Sequence, residues 1–263
     1  MNKKPGTPRD SDQRTLQPLA ALFPTTCWVS GQPIAKTDQG LAPYVRAQLR
    51  AYLLWPYCQR CGGTLGPFAA GGSCQHCAHR NLGLDRIIRV GPLHEPLSRL
   101  IHSLKFARHW ALAQILAPWM AEALRQAEAG PVDQLVPVPL HWFRQWWRGF
   151  NQSFELGSEL GRIVDAPCDE LLRRPRSTGA QTSMTSATAR ANNVRGAFQL
   201  RKGVNVSGLH LWLIDDVCTT GATLHAAASA LRNVPAAMRP ASINAIVLAV
   251  ADATPIPTAA SSL

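Results

Sequence analysis

Leu211-Trp212-Leu213-Ile214-Asp215-Asp216-Val217-Cys218-Thr219-Thr220-Gly221-Ala222-Thr223 is the stretch that decides how this chain is read. An apolar strand, Leu209–Ile214, delivers two adjacent carboxylates at its carboxyl end. Small, hydroxylated and glycyl residues follow, then an Ala-rich helix over Leu224–Leu231. In open α/β sheets, ligands bind at that edge. Asp215 and Asp216 can accept hydrogen bonds from the paired hydroxyls of a ribose, or hold a hydrated Mg2+. The backbone N–H groups of Thr219, Thr220, Gly221, Ala222 and Thr223 can turn inward around a phosphate. Gly221 permits the close approach and the Thr hydroxyls add donors. The following helix brings its positive end to the same point. A capped strand–helix junction explains Thr219 or Thr223 singly. It does not explain two acids followed by Thr-Thr-Gly-x-Thr. Neither GxxxxGK[ST] nor GxGxxG after a strand is present.

Outward from this loop, strands alternate with helices. His94–Phe106 carries Leu97, Leu100, Ile101 and Leu104 at helical spacing, and Trp110–Leu124 continues as a second helix with Pro118 as a break or first-turn residue. Gln134–Pro139 reads as a short strand ending in prolines. Phe154–Val164 reads as a helix and Ile243–Val250 as a buried strand. This alternation predicts an α/β domain with a mostly parallel sheet and flanking helices. Residues 1–15 and 252–263 read as tails, and Arg176–Arg190 as a mobile loop.

The 263 residues suffice for one well-buried α/β domain plus a small accessory module. No apolar run reaches the ~20 residues of a membrane span, so no membrane insertion is expected. Met1–Gly6 is basic and polar, and Leu19–Phe23 is too short for a signal-peptide core, so the expected location is the cytoplasm. Lys and Arg number 27 against 16 Asp and Glu, a formal charge of +11. That balance suits nucleic acid or a phosphorylated small molecule as partner. The cations are scattered, which argues against a dedicated nucleic-acid arm.

Four of the seven Cys form two CxxC pairs, Cys58/Cys61 and Cys74/Cys77, with twelve residues between the pairs. In a chain without an export signal this spacing favours a metal over disulfides. Four thiolates suit tetrahedral, structural Zn2+. An iron–sulfur centre or a redox CxxC is the lesser alternative. Cys218 lies inside the candidate phosphate loop, where exposure would make it redox-sensitive.

Two more loops carry cations: Val136-Pro137-Val138-Pro139-Leu140-His141 with Arg144 and Arg148-Gly149-Phe150-Asn151-Gln152-Ser153, and Gln181 with Arg190, Asn193 and Arg195-Gly196-Ala197-Phe198. The Leu213–Thr223 segment resembles the PRPP-binding motif of type I phosphoribosyltransferases. With VPVPLH, RGFNQ, GAF and the run Leu100–Phe106, the chain resembles the ComF-type competence proteins over roughly residues 26–250. The resemblance implies a type I phosphoribosyltransferase fold preceded by a small zinc-ribbon module. It implies that Asp215 and Asp216 bind ribose hydroxyls and Thr219–Thr223 the 5′-phosphate of PRPP or another ribose 5-phosphate compound, with Mg2+. Val138, Pro139 and His141 would face pyrophosphate, with Arg144, Arg148, Arg190 or Arg195 neutralising it. The implied layout is a degenerate first ribbon over 16–55, the zinc ribbon over 56–82 and the phosphoribosyltransferase-like domain over 83–251. In the first ribbon, Cys27-Trp28-Val29-Ser30-Gly31 and Gly40–Val45 keep one thiol of four, so no metal is expected there. The family link is to competence and DNA uptake, with single-stranded DNA or the uptake machinery as partner. Two functions remain: phosphoribosyl transfer to an unnamed acceptor, or a non-catalytic nucleotide-sensing or DNA-handling role on the same fold.

Overall fold

The computed structural model describes residues 25–66, Cys74, Cys77, 82–106, 111–140, 149–174 and 197–251. The expected tails and the Arg176–Arg190 loop lie outside these residues. The chain divides into two compact units, Met1–Arg46 and Ala47–Leu263.

The second unit is built on four parallel strands in the order β1-β6-β5-β2: β1 (Arg86–Pro92), β2 (Gln134–Pro137), β5 (His210–Cys218) and β6 (Ser242–Val250). A short antiparallel pair, β3 (Leu172–Arg173) and β4 (Gln199–Leu200), stands apart. The helices are α1 (Pro43–Leu54), in which the boundary between the two units falls, α2 (Leu97–Phe106), α3 (Ala111–Gln126), α4 (Gln152–Val164) and α5 (Ala222–Arg232). The α/β class and the parallel sheet read from the sequence are both present. β5 and β6 are central and almost wholly buried. A sheet covered on both faces needs near-continuous apolar strands, which is why both read as runs of Leu, Ile, Val and Ala.

Four features differ from the sequence reading. β1 escaped it, because Arg86 and Arg89 interrupt the apolar run Ile87-Ile88-Val90; Arg89 is nonetheless 1% exposed. α1 escaped it because its sequence overlaps the ribbon pattern. Pro118 lies inside α3 rather than at its start. It is exposed, so the carbonyl that loses its partner faces solvent, which tempers the cost. The fourth is that β5 runs on through both acids to Cys218, because β6 continues beside it: Asp215 is in register with Val247 and Val217 with Ala249.

The first CxxC loop closes the free edge of β1. The Ile87 N–H donates to the Gln59 carbonyl at 2.7 Å. Covering an open edge removes a site of unwanted strand pairing. Gly62, at φ +75°, makes the contact close: a Cβ there would stand 2.7 Å from Val250 Cγ2. Gly62→Ala is expected to cost about 1–3 kcal/mol through overpacking and a strained φ, read as a lower urea midpoint at unchanged m-value.

Candidate functional site

The site lies where β2 stops and β5 does not. Val138 N–H donates to the Ile214 carbonyl at 3.0 Å, the last rung on that side. Pro139 has no N–H to continue the ladder. Asp215 and Asp216 therefore emerge at the carboxyl edge of the sheet, flanked by β6 alone among the described strands.

Each acid is held by a different helix. Asp216 Oδ1 is 3.1 Å from Lys105 Nζ at the end of α2; the two side chains are 12% and 23% exposed. Asp215 Oδ1 accepts the Ser153 hydroxyl at 3.3 Å and the Asp216 N–H at 2.9 Å. Burial, then the neighbouring negative charge of Asp216, pushes the Asp215 carboxyl up to about 7, against the pull of the Asp216 N–H, Lys105 and Ser153. Ser153 is fixed in turn. Asn151 caps α4 by accepting the Ser153 N–H at 3.2 Å, and its amide donates to the Val138 carbonyl at 3.4 Å. The end of β2, the start of α4 and the acid pair are thus one chain of hydrogen bonds.

Beyond the acids, Thr219 and Thr220 are exposed and Gly221 turns the chain at φ 80°. No side chain caps α5. Ala222 N–H reaches only the Thr220 hydroxyl, at 3.4 Å. Thr223 is in the first turn of α5. A loop of small donors on an uncapped helix start is the arrangement that accepts a phosphate. Cys218 is buried, so the exposure that oxidation would need is not present in the described structure.

Of the residues expected on the pyrophosphate side, His141, Arg144, Arg148, Arg190 and Arg195 lie outside the described residues. Val138 spends its N–H on Ile214 and its carbonyl on Asn151, and Pro139 has no N–H. Neither can donate to an anion. Leu140 is the remaining described residue of that segment that carries an N–H.

The four cysteines come together. The sulfur atoms of Cys58, Cys61, Cys74 and Cys77 all lie within 4.8 Å of one another, with Cys58–Cys77 and Cys61–Cys74 at 3.5 Å. Tetrahedral zinc–thiolate bonds of ≈ 2.3 Å place sulfurs about 3.8 Å apart, so the cluster fits such an ion. The Gly62 N–H donates to the Cys58 carbonyl and the Cys58 N–H to that of Gly63. Burial raises the Cys61 and Cys77 thiols; a cation is what would hold all four as thiolates.

The first unit repeats this knuckle with other side chains. Gly31 N–H donates to the Cys27 carbonyl, Cys27 N–H to that of Gln32, and Thr26 bridges Pro33 as Tyr57 bridges Thr64. At the four ligand positions stand Cys27, Ser30, Ala42 and Val45, of which Cys27, Ala42 and Val45 are buried. Cys27 Sγ accepts the Ala42 N–H at 3.4 Å. Among these positions the side chains of Cys27, Ala42 and Val45 are packed inward.

Competence protein F of Haemophilus influenzae is 33% identical over 201 residues, 74% of this chain and 85% of that protein. DNA utilization protein YhgH of Escherichia coli is 34% identical over 222 residues, 82% and 95% of the two chains. The chain belongs to the ComF-type competence protein family. Competence protein ComFC of Bacillus subtilis is 35% identical over 97 residues, 37% of each chain. No protein-family model matches. Adenine phosphoribosyltransferase of Thermoanaerobacter pseudethanolicus covers 51% of this chain and 79% of its own, at 17% identity and a TM-score of 0.32, a superposition too loose to bear on function. Within this ComF-type chain, sequence reasoning missed Lys105, Asn151 and Ser153 as neighbours of the acid pair. Lys105 and Ser153 stand inside quoted runs, Leu100–Phe106 and Arg148–Ser153. Nothing local reports that Ser153 meets a carboxylate 62 residues away.

Proposed function

We propose that the protein is a phosphoribosyltransferase-like protein that binds PRPP or a related ribose 5-phosphate compound with Mg2+ and transfers the phosphoribosyl group to an acceptor. The observation that carries this reading is the acid pair at the carboxyl edge of β5, followed directly by an uncapped helix start with Gly221 in the left-handed conformation. Asp215 and Asp216 would hold the ribose hydroxyls and Mg2+, and Thr219–Thr223 the 5′-phosphate. Displacing pyrophosphate develops negative charge on the leaving oxygens; Arg144, Arg148, Arg190 or Arg195 would meet it, with His141 beside them. Zn2+ on Cys58, Cys61, Cys74 and Cys77 would be structural, since four protein ligands close the site. The zinc ribbon would span 56–82 and the ribose-phosphate domain 83–251.

Isothermal titration of PRPP with Mg2+ tests the reading. Micromolar binding is expected, weakened about 100-fold or more by Asp215→Asn/Asp216→Asn, the scale of losing several charge-assisted contacts. Absence of binding, or binding indifferent to that change, refutes it. A second reading, DNA handling, is favoured by the names of the relatives and the charge of +11. Single-stranded DNA binding that falls steeply with salt supports it, and binding indifferent to salt counts against it.

A further inference from the structure

Lys105 is presented to the acid pair by a fixed element. The apolar face of α2, Leu97, Leu100, Ile101 and Leu104, is buried, so the helix cannot swing freely. Lys105 Nζ sits 3.1 Å from Asp216 Oδ1, and both side chains are largely withdrawn from water. A divalent cation bound to that same oxygen at ≈ 2.0–2.1 Å would place two positive centres within about 5 Å of each other in a poorly screened setting. Asp216 has lone pairs for both, but the two cations repel each other there, so each weakens the other's hold.

We infer that Lys105 is a built-in cation that competes with a divalent metal ion for Asp216 and passes to an anionic oxygen of the phosphorylated ligand when the metal binds. The first half rests on the ion pair and on a metal binding at the acid pair; the second rests also on the ribose-phosphate reading. The displaced ammonium stays tethered to α2 beside the acid pair, where the ligand brings its negative charge. Metal and anion then bind better together than apart, and the coupling is reciprocal. Lys105 is thus a positioning residue in the protein alone and a ligand contact once the site is loaded.

The test uses the full chain with its zinc in place, Mn2+ as the metal probe and inorganic pyrophosphate as the anion. Free Mn2+ is counted by electron paramagnetic resonance. Lys105→Gln is expected to tighten Mn2+ binding about tenfold with no anion present, and to weaken pyrophosphate binding at saturating Mn2+ by a similar factor. Lys105→Arg, which keeps the charge, is expected to stay within about twofold of wild type on Mn2+. A role in folding alone would not tighten metal binding. Should Lys105→Gln not fold, Lys105→Met gives the same readout. Unchanged or weaker Mn2+ binding on removing the charge overturns the inference, as does Mn2+ binding that Asp216→Asn leaves intact. A wild type that binds Mn2+ and pyrophosphate as expected but ignores PRPP refutes the proposed function and the second half of the inference, and leaves the competition of Lys105 with the metal standing.

Discussion

Stripping the metal from the Cys58–Cys61–Cys74–Cys77 cluster is expected to lower the melting temperature of the protein by about 10 °C or more, using roughly 2–4 °C per kcal/mol for a domain of this size. The described knuckle, Cys58–Gly63, is held by a few backbone hydrogen bonds, and the sequence between the Cys pairs includes Ala69-Ala70-Gly71-Gly72-Ser73, which offers little to bury. Its order is therefore expected to depend on an ion held by the four thiols. That order is not private to the knuckle. Gln59 supplies the acceptor for Ile87 at the edge of β1, and Gly62 packs on Val250. Thr64 Oγ1 accepts from Arg89 at 2.6 Å, and the Tyr57 ring lies 5.1 Å from the same guanidinium. Arg89 is buried in the sheet, and losing a hydrogen bond to a buried charge costs about 1.5–3 kcal/mol. Loss of the metal should therefore reach the sheet. Calorimetry with and without a chelator, in Mg2+-free buffer, reads the effect, and Zn2+ should restore it. Cys61→Ser should reproduce it without chelator. A melting temperature unchanged within about 2 °C would mean that the sheet is stable without the ribbon.

Sequence carried the centre of the molecule well and its margins poorly, for physical reasons. β5, β6 and α5 were legible because a strand buried on both faces must be continuously apolar and the turn after it must be small. The cysteine cluster was legible because CxxC spacing follows from ligand geometry. β1 was not, because its two arginines read as surface while Arg89 is held by the Thr64 hydroxyl and faced by the Tyr57 ring, a tertiary arrangement with no local trace. The exit of β5 was misplaced by four residues, since Asp215 and Asp216 look like the end of a strand until β6 is known to run alongside. The acid pair itself was found from sequence, but its holders were not. Lys105 and Ser153 belong to helices whose approach to the sheet depends on how α2 and α4 pack. The repeated knuckle of the first unit lies between these cases. Its pattern was legible through resemblance. The structure adds that the same backbone hydrogen bonds form with Ser30, Ala42 and Val45 at the corresponding positions.

Asp215→Asn is expected to make the protein more stable at pH 8 while weakening ligand binding. The Asp215 carboxyl titrates near 7 in the fold, against an ordinary value of 3.8, because burial and the Asp216 charge oppose ionisation. Between those two values the folded protein holds a proton that the unfolded chain has released. Stability therefore falls as pH rises across that window, by up to about 1.4 kcal/mol per pH unit, and is level above it. Asn keeps the shape and an oxygen to accept from Ser153 and the Asp216 N–H, but has no proton to lose. The two proteins should melt together near pH 4 and diverge as pH rises, the variant leading by roughly 9–17 °C at pH 8. Binding has the opposite sense in the wild type. A carboxylate is the form that accepts from ribose hydroxyls or holds Mg2+, so affinity for PRPP should rise about tenfold per pH unit toward 7 and then level. The acid pair thus works against the fold in the pH range where it is ready to bind. Melting curves of both proteins from pH 4 to 8, set beside titrations of the wild type over the range, read both slopes. A variant less stable than wild type at pH 8 would place the Asp215 carboxylate among the groups that hold the sheet edge together, contrary to the strain argued for it.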